Sequence, residues 1–246
     1  KLKPEAKLWV VSITYLNPFV TKSFVGEEIT KEALAEALDG IDILVAHNGI
    51  KFDFITLMLF GLIDYKVGYL GEIDELNGKP IRLIDTLILS RLSMPDRIGG
   101  HSLDSWGKRV GVEKTDYRKE LIELGALDKS SPKGFEFTFF HEKMVEYCEQ
   151  DTVTNAYVYV EILKEYKGYT TASNAIRIEH KLADLAVRRE SLGFWFDKEL
   201  ALKNLEELTT IMNDIQERVN PILPKKPFTQ TELDYYTPTS KEVKKD

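Results

Sequence analysis

The stretch VEYCEQDTVTNAYVYVEIL, residues 145–163, has the periodicity of a helix, with a carboxylate on its inward stripe. Met144, Tyr147, Cys148 and Asp151 fall at i, i+3, i+4 and i+7, and the same face continues through Asn155, Val158, Tyr159 and Ile162. A carboxylate facing inward without compensation costs several kcal/mol or raises its own pKa. A metal ion, a base or a set of hydrogen-bond donors must therefore neutralise Asp151. Tyr147 lies one turn earlier, so its hydroxyl and the Asp151 carboxylate can point into one space. The plain alternative is a tyrosine and an aspartate hydrogen-bonded at the edge of a core.

A second group of chemically useful residues is HNGIKFD, residues 47–53, which follows a short apolar run and opens a helix. Sites in α/β folds gather at the carboxyl ends of strands. Gly49 permits a tight turn, Asn48 offers a donor and an acceptor, and Asp53 falls in the first helical turn. Asp53 could equally do no more than favour the helix dipole. Asp85, in LIDTL, also stands at a strand-to-helix junction, and there a helix N-cap is the expected role. His47 and His101 lack ligand-like partner spacing and are expected to be structural or, at most, adjacent to substrate.

The elements that must hold these residues alternate between β and α. KLWVVSITYL and KSFVGEE read as a β-hairpin, and TKEALAEAL as a helix capped by Thr30. IDILVAHN suits a central strand buried on both faces. Phe54, Leu57, Met58 and Leu62 line one helical face, with Gly61 near the end of that helix. KPIRLIDTLILSRL predicts a strand running into a helix near Asp85. GGHSLDSWGKRVG predicts a short helix capped by Ser102 and stopped by Gly111. DKSSPKGFEFT is a loop, and the long helix is expected from about Thr138 to Gly168. Beyond it, Ile178, Leu182, Leu185 and Leu192 fall on one stripe of a further helix ended by Gly193. FWFD is a brief extended segment, and Asp197 caps a helix carrying Leu205, Leu208, Ile211, Met212 and Ile215. The expected division is an α/β domain over residues 1–168 and a helical extension with a Pro-, Thr- and Lys-rich tail over 169–246.

Composition narrows the classes. The chain has 246 residues, 43% hydrophobic and 30% charged, an ordinary globular balance. No run of ~18 uncharged apolar residues is present to span a membrane. One cysteine, Cys148, excludes an internal disulfide framework and a multi-cysteine zinc site, and a reducing, cytoplasmic setting fits. A net charge of −7 argues against broad wrapping of nucleic acid, but not against a metal-bridged contact with a strand end.

The ordered set VAHNGIKFD, LIDTLILSRL, GGHSLDSWGKRVG and YCEQD resembles the 3′→5′ proofreading exonuclease domain of family A DNA polymerases of the podovirus-phage type. The likeness runs from about Lys7 through IEHKLADLAVRRESLGFWFD, which is similar to the join between exonuclease and polymerase regions. It implies an RNase H-like fold, a mixed central sheet flanked by helices. It also implies a DEDD-type nuclease in which carboxylates hold two divalent metal ions, Mg²⁺ or Mn²⁺. By motif, Asp53 and Asp151 become metal ligands, Tyr147 the residue that orients the attacking water, and Asn48 a contact to the 3′-terminal nucleotide. The position five residues before Asp151, where a histidine subclass has its base, is Glu146 here, which points to the tyrosine subclass. Lys108, Arg109 and Lys114 could reach phosphates, although surface cations are more often simply solvated.

The implied partners are DNA, as a single-stranded 3′ end and a primer-template, the rest of a polymerase chain and a processivity factor, in the cytoplasm of an infected host. One departure stands out. The family's first motif, D-x-E on the first strand, is expected just upstream of KLKPEAKLWVV, and Glu5 lacks the aspartate partner. A catalytically incompetent scaffold that binds DNA or partner segments is therefore one alternative. A free-standing DEDD nuclease is another, against which the helical join speaks.

Overall fold

The computed structural model describes residues 6–70, 72–112, 115–166, 172–223, 227 and 229. Glu5, Lys114, the boundary expected at Gly168 and nearly all of the tail lie outside the described residues. The fold is α/β with a mixed sheet. The chain divides into two compact units, Lys1–Gly193 and Phe194–Asp246. The change of architecture expected near residue 168 thus precedes the division, and the helix after it belongs to the first unit.

In that unit β1 (Val10–Leu16) and β2 (Phe19–Val25) form the expected antiparallel hairpin, in register from Val10 opposite Val25 to Leu16 opposite Phe19. Thr30 accepts a hydrogen bond from Ala33 N at 3.1 Å and so caps α1 (Lys31–Ala37), as its position predicts. β3 (Ile43–Ala46) leads into α2 (Asp53–Leu59), followed by β4 (Tyr65–Lys66), β5 (Asp74–Leu76) and β6 (Lys79–Asp85). These strands form a sheet in the order β3-β6-β5-β4, parallel between β3 and β6 and antiparallel elsewhere. Asn77 and Gly78, both at positive φ, make the tight turn between β5 and β6.

The sequence pattern points to β3 as the central strand, and here the structure differs. β3 ends the described sheet, its Ile43 is 40% exposed, and its other residues are half-buried. The strand covered on both faces is β6. Its Ile81 and Leu83 join a core cluster with Ile50, Phe54, Ile63, Tyr65, Val67 and Leu76. Its Ile84 points the other way, into a cluster with Leu89, Trp106, Val158 and Ile162. Alternation along a strand places neighbours on opposite faces, and β6 has a paired strand on each side.

Helices α3 (Thr86–Ser93), α4 (Leu103–Val110) and α5 (Tyr117–Glu123) follow, α4 with its Ser102 cap and with Gly111 left-handed at its end, as predicted. The long helix α6 (Lys143–Glu165) starts five residues later than its periodicity suggests, because a 3₁₀ turn at Phe135–Phe137 precedes it. On its inward stripe Met144, Asn155, Val158 and Ile162 are buried. α7 (Ala172–Leu192) does not pack its leucine stripe inward, and Ile178 of that stripe is half-buried. Leu182, Leu185 and Leu192 are exposed, whereas His180, Asp184 and Val187 are buried. Polar residues can take the inner face because each is paired: the single N–H of Arg188 Nε is shared between the two Asp184 carboxylate oxygens, at 2.9 and 3.0 Å, and His180 meets backbone groups.

The second unit contains α8 (Lys198–Val219), capped by Asp197, which accepts from Leu200 N at 2.9 Å. Leu205, Leu208, Ile211, Met212 and Ile215 of α8 are all exposed.

Candidate functional site

Asn48 and Asp53 sit on a turn that the backbone can make only with glycine at its centre. Asn48 has φ 64°, and a Cβ at Gly49 would stand 2.4 Å from the Ala46 Cβ and 3.2 Å from the Phe54 ring. Phe52 N bonds Asn48 O at 3.0 Å and Phe54 N bonds Gly49 O at 2.8 Å, so the turn winds directly into α2 with Asp53 as its first residue. The turn thus places Asp53 at the start of α2, shortly after the end of β3.

Asp151 is set by the way α6 is pinned. On one side Thr152 Oγ1 meets Thr14 Oγ1 of β1 at 2.8 Å, and Glu149 accepts from Ser23 of β2 at 2.7 Å. On the other, Asn155 Oδ1 accepts from Thr86 Oγ1 at 2.7 Å. Asp151 lies between these anchors, half-buried, with Oδ1 screened from solvent. Tyr147, one turn earlier, packs its ring against Tyr117 at 5.5 Å and Phe137 at 6.3 Å between centroids. The tyrosine side of the stripe is therefore a rigid aromatic wall.

The charge of Asp151 reaches Asp53, as the weakest of the influences on its carboxyl. Asp53 is exposed as a residue, yet protein crowds its carboxyl closely enough for lost hydration to be the largest influence on it. With the negative charges of Asp85 and, less strongly, Asp151, its pKa is pushed up to about 6. The Cys148 thiol feels the same surroundings. Burial raises its pKa, the charges of Asp151 and Asp53 add to this, and Ser12 opposes it. The thiol is thus held protonated and is not an activated nucleophile.

Asp85 has the expected N-cap bond to Leu87 N at 3.0 Å. The same carboxylate also accepts from Asn48 N at 2.9 Å and Ile50 N at 3.3 Å, so it ties the tight turn to the end of β6. Sequence reasoning missed that second role, and it missed His180 altogether. The buried His180 accepts the Asp85 backbone N–H at 2.7 Å. Its only signal was a histidine inside a helical pattern, 95 residues from its partner. Both of the other histidines noted in the sequence are hydrogen-bonded: His47 Nδ1 meets Thr86 Oγ1 at 2.9 Å, and His101 Nδ1 meets Ser90 Oγ at 2.8 Å.

Lys108 and Arg109 are engaged elsewhere on α4. Lys108 donates to Asp104 at 2.9 Å. Arg109 donates to Ile98 O and Gly100 O, and lies 5.1 Å from the centre of the Trp106 ring.

The donor chemistry suits a hard divalent cation. Asp53 and Asp151 offer carboxylate oxygens from separate elements, near enough for one charge to perturb the other. A cation between them would favour the ionised forms that their mutual repulsion opposes. Among the described residues, no group of three or more His, Cys, Asp or Glu side chains is gathered to hold a metal.

No protein-family model matches the chain. Among curated proteins, it is 29% identical over 201 residues to the DNA-directed DNA polymerase of Escherichia phage T7, covering 68% of this chain and 27% of that protein. The DNA-directed DNA polymerase of Enterobacteria phage T3 matches with the same 29% identity over 201 residues, again covering 68% and 27%. The chain is thus similar to a region of phage DNA polymerases and spans about a quarter of the length of these relatives.

Proposed function

We propose that this chain is the 3′→5′ proofreading exonuclease portion of a phage-type DNA polymerase, with an RNase H-like fold, removing nucleotides from a single-stranded 3′ end. The observation that supports this reading is that Asp53, after the turn that follows β3, and Asp151, on α6, lie near enough for the charge of Asp151 to raise the pKa of Asp53, with Tyr147 one helical turn before Asp151. The likeness to phage DNA polymerases supplies the context, DNA as the partner and a longer polymerase chain as the setting.

In this reading Asp53 and Asp151 hold divalent cations, Mg²⁺ or Mn²⁺, with water and substrate phosphate as further oxygen ligands. When bound, two such ions would activate a water and stabilise the leaving 3′ oxygen. Tyr147 presents its hydroxyl from a ring packed against both Tyr117 and Phe137, so it can orient the attacking water with little freedom to lose. Asn48, held left-handed by the bond from its N–H to Asp85, offers its amide to the terminal nucleotide.

The test uses the full-length protein and a 3′-labelled single-stranded oligonucleotide. Asp53→Ala and Asp151→Ala should each abolish Mg²⁺-dependent digestion while leaving circular dichroism and cooperative unfolding intact. Undiminished digestion by both variants sinks the assignment. Tyr147→Phe should slow hydrolysis with little change in metal dependence, and collapse of the fold would instead favour a packing role for this residue.

A further inference from the structure

The buried polar line that runs from α7 to the candidate site has no part in the chemistry described so far. His180 is 3% exposed, and its Nδ1 meets Ile176 O of its own helix at 2.8 Å. A carbonyl oxygen can only accept, so Nδ1 carries the proton and Nε2 is left with its lone pair. That lone pair accepts the Asp85 N–H at 2.7 Å. Both ring nitrogens are thus used, and only the neutral tautomer satisfies both contacts. Burial also lowers the pKa of His180, against the opposing influence of Ile176 O and of Asp85, Asp74 and Glu179.

From Asp85 the line divides. Its carboxylate accepts from Asn48 N and Ile50 N, the two amides that define the turn before Asp53. Its neighbour Thr86 donates to Asn155 on α6, one helical turn after Asp151. A displacement of the Asp85 backbone is therefore transmitted to both carboxylates of the site.

We infer that His180 is a positioning residue: through the Asp85 backbone, α7 holds the turn carrying Asn48 and Asp53 in register with Asp151 on α6. The inference rests on the exonuclease reading for its effect on hydrolysis, but not for its effect on the turn. Small displacements of metal-bearing carboxylates are expensive, because ligand orientation is set by the groups behind them. α7 is then part of the working site and not only a connecting helix.

Two measurements on the full-length protein test this. The first is amide hydrogen exchange over residues 46–53 in EDTA, and the second is digestion of the labelled oligonucleotide across an Mg²⁺ titration. In His180→Ala, exchange at Asn48 and Ile50 should quicken, kcat should fall by ~10–100-fold, and half-saturating Mg²⁺ should rise, with KM for the oligonucleotide little changed. His180→Gln can accept the Asp85 N–H through Oε1, and should restore most of each quantity. Unchanged exchange at residues 48–50 in His180→Ala overturns the inference, as does a Gln variant no better than Ala in both measurements. A stability loss without change in Mg²⁺ dependence or in the kcat-to-KM balance also overturns it. If the unsubstituted protein does not digest DNA, the exonuclease reading falls, and the exchange measurement alone decides the role of His180.

Discussion

Asp53 and Asp85 occupy equivalent local positions, each where a strand or its following turn gives way to a helix, and their surroundings separate them. The Asp85 carboxylate is 2% exposed as a residue and accepts three backbone N–H groups, from Asn48, Ile50 and Leu87. Asp53 opens α2 with only its own backbone N–H to favour its charge, and faces the negative charges of Asp85 and Asp151. A carboxylate surrounded by donors is structural: its charge is already compensated and it has little capacity left for a ligand. A carboxylate crowded by like charge is costly to the free protein and gains most from a cation. One residue type at one kind of junction is thus surrounded by donors in Asp85 and crowded by burial and like charge in Asp53.

The comparison can be broken most decisively at Asp53. Asp53→Ala should reduce Mg²⁺-dependent digestion to background, while urea unfolding shows no loss of stability. The reverse outcome, intact digestion with a weakened fold, would make Asp53 structural. At Asp85 the expected balance is opposite. Asp85→Ala removes a helix cap and strands the buried Ile50 amide, so it should cost on the order of 3 kcal/mol by urea unfolding. A loss well under about 1 kcal/mol would show that water replaces those bonds.

The turn between the two aspartates tests the geometry. Gly49→Ala places a methyl 2.4 Å from the Ala46 Cβ and should destabilise the protein by about 2 kcal/mol. A neutral result would mean that the turn is not held closely to β3.

The charge argument makes a smaller, pH-dependent prediction, read in EDTA so that no cation intervenes. The pKa of Asp53 in the folded protein, about 6, exceeds the ordinary carboxylate value of 3.8. Its contribution to stability is therefore fully present below that ordinary value and is lost as pH rises through about 6. Asp53→Asn, which cannot ionise, should match the unsubstituted protein in thermal stability at pH 3.5 and exceed it at pH 7, two values chosen on either side of that window. A stability difference independent of pH would remove the claim that Asp85 and Asp151 crowd this group.

The smallest effect belongs to α4. The Lys108–Asp104 pair is exposed on both sides, and Lys108→Ala should shift stability by no more than about 0.5 kcal/mol. A weaker salt dependence of oligonucleotide binding in this variant would give Lys108 the phosphate contact its sequence position suggests. Unaltered binding would leave it a solvated surface charge.

Much of the local architecture was legible in the residues alone. Thr30, Ser102, Asp85 and Asp197 were each readable as caps, and each accepts from an amide two or three residues ahead. Such bonds depend on neighbours in the chain, so composition and spacing are enough to foresee them. The stripe on α6 was readable for the same reason, and Gly49 was recognisable from the need for a turn. The likeness of the ordered motifs to polymerase exonucleases also came from sequence, and the similarity to phage polymerases agrees with its coarser part.

Tertiary structure alone decided which strand is enclosed and what lies behind the site. β6 became the strand covered on both faces because Ile50 and Phe54 pack on one side of it and Leu89, Trp106, Val158 and Ile162 on the other, which no local pattern records. The inner face of α7 went to His180, Asp184 and Val187 although Leu182 and Leu185 have the more apolar side chains. Hydrophobicity favours a leucine inside, but backbone groups at the end of β6 require a partner, and a buried unsatisfied amide is expensive. The residues that could carry chemistry were visible in the sequence by type and spacing. The bonds that hold them in register join positions 35 to 95 residues apart, and only the folded chain brings those positions together.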